Sequence, residues 1–335
     1  MQKLIVIGAS AGGVNALTSV TSALPANLRA TVLIVMHIGA RRSLLPEILQ
    51  KLCPLPVKHA EDCLPLLPGQ VLIAPPDRHL TVEIHDGQPR ARLWRGPKEH
   101  YTRPAIDPLF RSAAAAFDGL VIAAILTGYL DDGTAGLHAV KTCGGYAIVQ
   151  DPKDAQVPDM PASALSYVTV DNVLPLCEIG PMLTALAAHA PQWPAGAGVG
   201  AADRKPQPPE WMRVENRYVR GVGDIEDLQR IGIPSGYTCP ECNGALWKLN
   251  DVIPPRFRCH TGHSFSARVL AELQDDTVEA ALWSSLRALQ EKARMVQELF
   301  EDAAVLQDPE SKERHRQHAL KLQADIATLH ALLSK

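Results

Sequence analysis

Short apolar runs separated by segments of helical period recur along residues 1–190, and no other feature limits the fold of this chain as much. The runs are residues 4–8, 31–36, 57–60, 71–74, 80–84, 120–127 and 146–150. Helical patterns at 13–23, 44–52, 104–117 and 135–143 lie between several of them. Runs this short and this uniformly apolar fit strands covered on both faces, the signature of a parallel sheet with helices above and below. The prediction is an α/β fold, a doubly wound and mostly parallel sheet. Between residues 65 and 93 strands follow one another without helices, which predicts a small antiparallel excursion there.

The first run ends in Gly8-Ala9-Ser10-Ala11-Gly12-Gly13. Read as Gly-x-x-x-Gly-Gly, this is a bare loop that could cradle a dinucleotide pyrophosphate. Read as Gly-x-Ser-x-Gly, it is a nucleophile elbow that lifts Ser10 from a strand end. The dinucleotide reading, which would make the chain an oxidoreductase, needs an acidic residue at the end of the second strand to hold the ribose. That position holds His37.

In an open α/β sheet the loops at the carboxyl ends of the strands surround the working crevice. Ser10 follows the first strand, His37 the second, and Asp131-Asp132-Gly133 the long apolar run at 120–127. Nucleophile, general base and orienting acid are the parts of a hydrolase triad. A serine hydroxyl attacks at neutral pH when an imidazole takes its proton, and a buried carboxylate holds that imidazole in the right tautomer. The Ala11 N–H, at the start of a helix, is the natural candidate for one arm of an oxyanion hole. Each residue alone has a plainer explanation: Ser10 as a helix cap, His37 as a core histidine bonded to a carbonyl, Asp132-Gly133 as a turn. The order Ser, His, Asp also departs from the Ser, Asp, His order of common α/β-hydrolases.

Past residue 190 the composition shifts to proline, glycine and alanine without period, which reads as a linker over 191–210. Beyond it Cys239-Pro240-Glu241-Cys242 is followed by Cys259-His260-Thr261-Gly262-His263. This is the grammar of a tetrahedral zinc site in a small Cys/His-rich module, with Cys239, Cys242, Cys259 and His263 as the preferred ligands and His260 as the neighbouring competitor. Such a closed set would be structural, and no cofactor is expected for catalysis. Apolar stripes at 282, 286, 289, 293, 296, 300 and 303, then at 319, 322, 326, 329 and 333, flank Asp308-Pro309 and predict a helical hairpin. The stripes either pack on each other or form a partner or dimer contact.

A net charge of −3 gives no reason to expect nucleic acid as a partner. The longest apolar runs are far too short to insert in a membrane, and the start does not resemble a secretory signal. Scattered cysteines such as Cys53, Cys143 and Cys177 fit a reducing cytosol, so a cytoplasmic protein is expected.

Residues 7–13, Met36-His37, 103–114 and 126–133 together resemble the catalytic domain of the chemotaxis protein-glutamate methylesterases, the CheB family. Residues 74–79, Val149-Gln150-Asp151 and Met160-Pro161 extend the likeness over about residues 1–185. The resemblance implies a serine hydrolase that removes γ-carboxyl methyl esters from glutamates on the cytoplasmic helices of methyl-accepting chemotaxis receptors, with deamidation of glutamine as a side activity. It implies Ser10 as nucleophile, His37 as base and Asp132, directly before the glycine, as acid. Ala11 and Gly12, with Tyr129 and Arg103, are the implied oxyanion and substrate-loop positions. The family usually has Met-Gly where this chain has Tyr129-Leu130, and the loss of a glycine bears on the loop's backbone freedom. A rival reading keeps the fold but makes the chain a regulatory binding protein impaired in turnover. Met1 lies three residues before the first strand, so gating by an N-terminal receiver in cis is expected to be absent. The expected organisation is a catalytic domain at 1–190, the linker, a zinc-ribbon-like module at 211–267 and the hairpin at 268–335.

Overall fold

A computed structural model describes residues 3–39, 41–188, 208–250, 252–305 and 308–334. Most of the linker expected at 191–210 lies outside the described residues. Residues 1–269 and 270–335 form two compact bodies.

The first body is built on a seven-stranded parallel sheet. Its strands are β1 (Lys3–Ala9), β2 (Ala30–Met36), β3 (Val57–His59), β4 (Gln70–Ile73), β7 (Val121–Ile125), β8 (Tyr146–Gln150) and β9 (Asn172–Leu174), in the order β3-β4-β2-β1-β7-β8-β9. The chain winds outward from β1 to one side and then returns to β7 on the other. The sheet is therefore doubly wound, and the reversal puts a crevice at the carboxyl end of β1.

The period of two along β1 divides the core. Leu4 and Val6 face one layer with Leu33 and Val35, against Ile106, Leu109 and Phe110 of α3 (Ile106–Phe117). Ile5 and Ile7 face the other with Val32 and Ile34, against Leu17 and Val20 of α1 (Gly13–Ser22) and Ile179 and Leu183 of α6 (Leu176–Ala188). Both faces of β1 are fully buried, which is why its sequence reads as a continuous apolar run. Each such side chain contributes roughly 1.5–3 kcal/mol of burial. Of the other helices, α4 (Thr134–Thr142) and α5 (Asp159–Tyr167) pack in the first core and α2 (Leu45–Gln50) in the second.

The antiparallel excursion is narrower than the stretch expected at 65–93, because β4 within it joins the parallel sheet. What remains is the hairpin β5 (His79–His85) with β6 (Gln88–Trp94). Its two-residue turn is Asp86-Gly87, with φ of 50° and 73°, the left-handed pair that matches strand twist.

After the undescribed segment come α7 (Glu210–Val219) and α8 (Ile225–Ile231). A four-stranded antiparallel sheet follows: β10 (Gly232–Thr238), β11 (Ala245–Leu249), β12 (Arg256–Cys259) and β13 (Ser264–Ser266). Tyr218, Leu228, Trp247 and Leu249 centre their own apolar cluster. This module packs on the α/β layer, with Met212 entering the core that holds Phe110.

The second body consists of the bulk of α9 (Ala267–Val305) and all of α10 (Pro309–Leu333). Asp308 caps α10, accepting from the Ser311 N–H at 3.1 Å. Leu286, Val296 and Leu322 are buried, and Lys312 Nζ lies 5.4 Å from the Phe300 ring centre, so the two helices meet. Trp283, Met295, Leu299 and Leu320 remain exposed.

Candidate active site

Ser10 is the first residue beyond β1 and is pinned there by its own N–H, which donates to Thr127 O at 2.9 Å. Thr127 Oγ1 in turn donates to Ala11 O at 2.9 Å, so the ends of β1 and β7 share one bonded turn. The chain passes through Gly12 at φ 78° before α1 begins. Gly128 permits the close approach on the β7 side: a Cβ there would stand 2.7 Å from Ser10 Cβ and 2.2 Å from Met160 Sδ.

His37 stands one residue beyond β2. Its Nδ1 lies 3.1 Å from Ser10 Oγ and its Nε2 lies 2.7 Å from Asp132 Oδ2. The carboxylate cannot donate when ionised, so Nε2 carries the proton and Nδ1 presents a lone pair to the serine hydroxyl. Asp132, not Asp131, makes this contact. Its remaining lone pairs are filled by the N–H groups of Ile106 (2.7 Å), Asp107 (3.1 Å) and Gly133 (2.8 Å). The first two are the opening N–H groups of α3, so the carboxylate caps that helix from another part of the chain. Burial pushes Asp132 up, but the His37 hydrogen bond, the charge of His100 and the Ile106 N–H outweigh it and hold it below its ordinary value.

Beneath Asp132 lies a second, fully enclosed histidine. His100 Nε2 is 2.9 Å from Asp107 Oδ2, and its Nδ1 is 3.8 Å from Asp131 Oδ1. Burial disfavours the imidazolium, yet the Asp107 hydrogen bond and the charges of Asp132 and Asp131 win, raising its pKa to about 9.

Ser10, Ala11, Gly12, Val14, Met36, His37 and Gln156 line an open cleft of about 510 Å3. The N–H groups of Ala11 and Gly12, between Ser10 and the first residue of α1, have no acceptor among the described residues. An Oγ–H facing an oriented imidazole can deprotonate as it attacks a carbonyl, and N–H donors without other acceptors next to it in the chain are the kind of group that stabilises an oxyanion.

Two expected loop positions lie elsewhere. Arg103 is engaged by Asp77 Oδ1 (2.8 Å from Nε) and Gly96 O (2.7 Å from Nη1), away from the cleft lining. Tyr129 is 62% exposed and does not line the cleft either. Leu130 takes φ 64°, so the loop keeps a left-handed backbone without a glycine, at a cost of about 1–2 kcal/mol.

The Cys/His ligand atoms converge. Cys239, Cys242, Cys259 and His263 place their donor atoms within 4.8 Å of one another. Cys242 Sγ to Cys259 Sγ is 3.7 Å, Cys239 Sγ to His263 Nδ1 is 3.8 Å, and Cys259 Sγ to His263 Nδ1 is 3.5 Å. A tetrahedral zinc with sulfur at about 2.3 Å and nitrogen at about 2.0 Å spaces its donors about 3.5–3.8 Å apart, so the residues fit the ion. His260 is not in that group, and its ring packs on Gly244.

Sequence reasoning missed Gln156, His100 and Asp107, and it missed a buried ion cluster beside them. Glu99 pairs with Arg111 at 2.8 Å and with Arg258 at 2.9 Å. Glu215 pairs with Arg256 and Arg258, each at 2.8 Å. Burial pushes both carboxyls up, but the arginines hold Glu99 well below and Glu215 below the ordinary range. Arg256 and Arg258 stand two apart on β12 and so share one face, the single local signal that a charged partner waits there.

A doubly wound sheet with serine, histidine and aspartate at three adjacent strand ends is an arrangement that a serine hydrolase can use. Comparison with known proteins agrees. The family model for the CheB methylesterase matches residues 5–183. The chain belongs to the CheB methylesterase family, and its enzyme class is that of a carboxylic ester hydrolase. It is 39% identical over 183 residues to a protein of Leptospira interrogans, provisionally named a protein-glutamate methylesterase/protein-glutamine glutaminase, covering 54% of this chain and 93% of that one. A protein-glutamate methylesterase/protein-glutamine glutaminase of a Nocardioides species is 41% identical over 199 residues, covering 58% and 54%. The crystal structure of the Thermotoga maritima CheB methylesterase catalytic domain aligns with a TM-score of 0.54 and 36% identity, covering 56% of this chain and 99% of that one. No helix among the described residues is long and apolar enough to cross a membrane.

Proposed function

We propose that this chain hydrolyses γ-carboxyl methyl esters of glutamate on the cytoplasmic helices of methyl-accepting chemotaxis receptors or related signalling proteins. The single observation that carries the reading is the bonded series Ser10, His37, Asp132 at the mouth of a cleft, in a chain of this family. Ser10 Oγ attacks the ester carbonyl as its proton passes to His37 Nδ1. The Ala11 and Gly12 N–H groups hold the oxyanion, and Asp132 steadies the imidazolium through Nε2. The tetrahedral intermediate collapses, the C–O bond to the methoxy group breaks, and His37 returns the proton to methanol. Water, deprotonated by His37, then cleaves the glutamyl-Ser10 ester and releases glutamate. An amide in place of the ester loses ammonia by the same steps, which accounts for glutamine deamidation.

The catalytic segment is residues 1–190, followed by the linker at 191–210, the Cys/His module at 211–267 and the hairpin at 268–335. Cys239, Cys242, Cys259 and His263 hold a structural zinc, which cross-links two turns of the module and takes no part in the ester chemistry. The exposed apolar residues of the hairpin are the candidate partner or dimer contact, and the site of action is the cytoplasm. The test is methanol release from methylated receptor signalling domains by the wild-type chain and by folded Ser10→Ala. Release by the wild type and its loss in the variant are expected. A wild-type chain that releases none from any methylated receptor would end the proposal.

A further inference from the structure

The metal cluster and the ester-hydrolysing site are joined by short, buried hydrogen bonds. We propose that the Cys239–Cys242–Cys259–His263 metal site positions the carboxylate of Asp132, acting through Ser264, His100 and Asp107. The catalytic consequence rests on the esterase reading above; the physical coupling does not.

Two arms leave the ligand set. Ser264, directly after the ligand His263, is fully buried, and its carbonyl accepts the His100 N–H at 2.8 Å. His100 holds Asp107 at 2.9 Å, and the Asp107 N–H donates to Asp132 Oδ1 at 3.1 Å. The Asp107 carboxylate is itself fixed from behind, accepting the Gly136 N–H at 2.6 Å. The second arm starts at Arg258, beside the ligand Cys259. Its Nη1 donates to Gly262 O at 2.7 Å, inside the ligand turn, while its Nη2 pairs with Glu99, which pairs with Arg111 of α3. Both arms end on α3, whose first N–H groups hold Asp132.

The segment between the arms is under strain. His100 and Tyr101 take φ of 52° and 62°, consecutive left-handed positions for residues with side chains. Such backbone persists where its surroundings over-determine it. The surroundings here are Ser264 O, the Asp107 carboxylate and the Glu99 ion pairs. The ligand turns at 239–244 and 259–263 contribute no side chain to the module's apolar cluster, so a bound metal would cross-link them. His100 and Asp107 are therefore positioning residues: they touch no substrate and act by fixing Asp132.

Hydrogen exchange of the full chain tests this, comparing zinc-loaded protein, protein stripped by a chelator, stripped protein given zinc again, and Cys242→Ser. Loss of metal is expected to remove protection from residues 98–110 while β1, β2 and β7 keep theirs. Zinc is expected to restore the stripped wild type but not the variant. In the same samples kcat falls by about 10–100-fold with KM unchanged, as when an outer partner is lost, and His100→Gln lowers kcat while retaining zinc. Unchanged protection at 98–110 after metal release overturns the proposal. So does equal loss across the sheet strands, which would make the metal a general staple, and so does failure of the chain to bind zinc. Altered exchange in a chain that hydrolyses no ester supports the coupling and removes the esterase reading instead.

Discussion

His37 meets Asp132 through Nε2 at 2.7 Å, which leaves Nδ1 for Ser10 at 3.1 Å. The serine protease template uses the ring in the opposite sense, with Nδ1 on the aspartate. The exchange is chemically equivalent as long as one nitrogen is held protonated by the acid and the other faces the hydroxyl. Ser10→Ala and His37→Ala are each expected to lower kcat by about 10⁶-fold, and the double variant by little more, because the pair acts as a unit. Asp132→Asn is expected to cost about 10⁴-fold through the wrong tautomer. Rates of methanol release, with circular dichroism to verify folding, check all four variants.

The left-handed Leu130 sets up a comparison of two variants. Leu130→Ala and Leu130→Gly remove nearly the same buried surface, but only glycine relieves φ 64°. Leu130→Gly is expected to be more stable than Leu130→Ala by about 1 kcal/mol, measured by urea denaturation. Equal stabilities would mean that the loop relaxes out of the left-handed region.

His100 makes stability depend on alkaline pH. Its imidazole faces Asp107, Asp131 and Asp132, and its pKa of about 9 in the folded chain stands above the usual 6.5. The folded state therefore binds this proton more tightly than the unfolded state. Its contribution is complete below about pH 6.5, declines as pH rises and is gone above about pH 9. The loss is on the order of 3 kcal/mol. Denaturation midpoints from pH 6 to 9.5 are expected to show this decline in the wild type, and a flatter profile in His100→Gln.

The arginines at Glu215 have no water to fall back on. Glu215→Leu is expected to destabilise the first body by about 3–5 kcal/mol, because it strands Arg256 and weakens the hold on Arg258. Thermal unfolding of the full chain checks this. A shift no larger than that of an exposed substitution would show that the cluster is hydrated.

The parallel strands were legible because burial on both faces writes them as apolar runs bounded by glycine or charge. β9 was not: its three residues, Asn172–Leu174, are half-buried at the ends and exposed at Val173, and are too few to show a period. β6 was hidden for a related reason, since Pro89, Arg90 and Arg92 belong to a hairpin with a solvated face. His37 and Ser10 were legible by their places after strands. The choice between Asp131 and Asp132 was not visible in strand geometry, because it depends on the N-terminus of α3 arriving from another layer. The same approach gives His100 and Asp107 their roles, and no spacing in the chain encodes it. The Cys/His spacing is local in the chain, whereas the five charges of the ion cluster, Arg258 among them, come from four separate segments.

The ion cluster also bears on how this protein can be cut. A fragment ending near residue 190 keeps every residue that lines the cleft, yet it uncovers Glu99 and Arg111 and the core surface on which Met212 rests. Such a fragment would carry a raw apolar face beside a Glu99–Arg111 pair stripped of Arg258 and Glu215, prone to self-association in proportion to its concentration. For dissection, labelling or fusion, the useful end of the first body lies near residue 269.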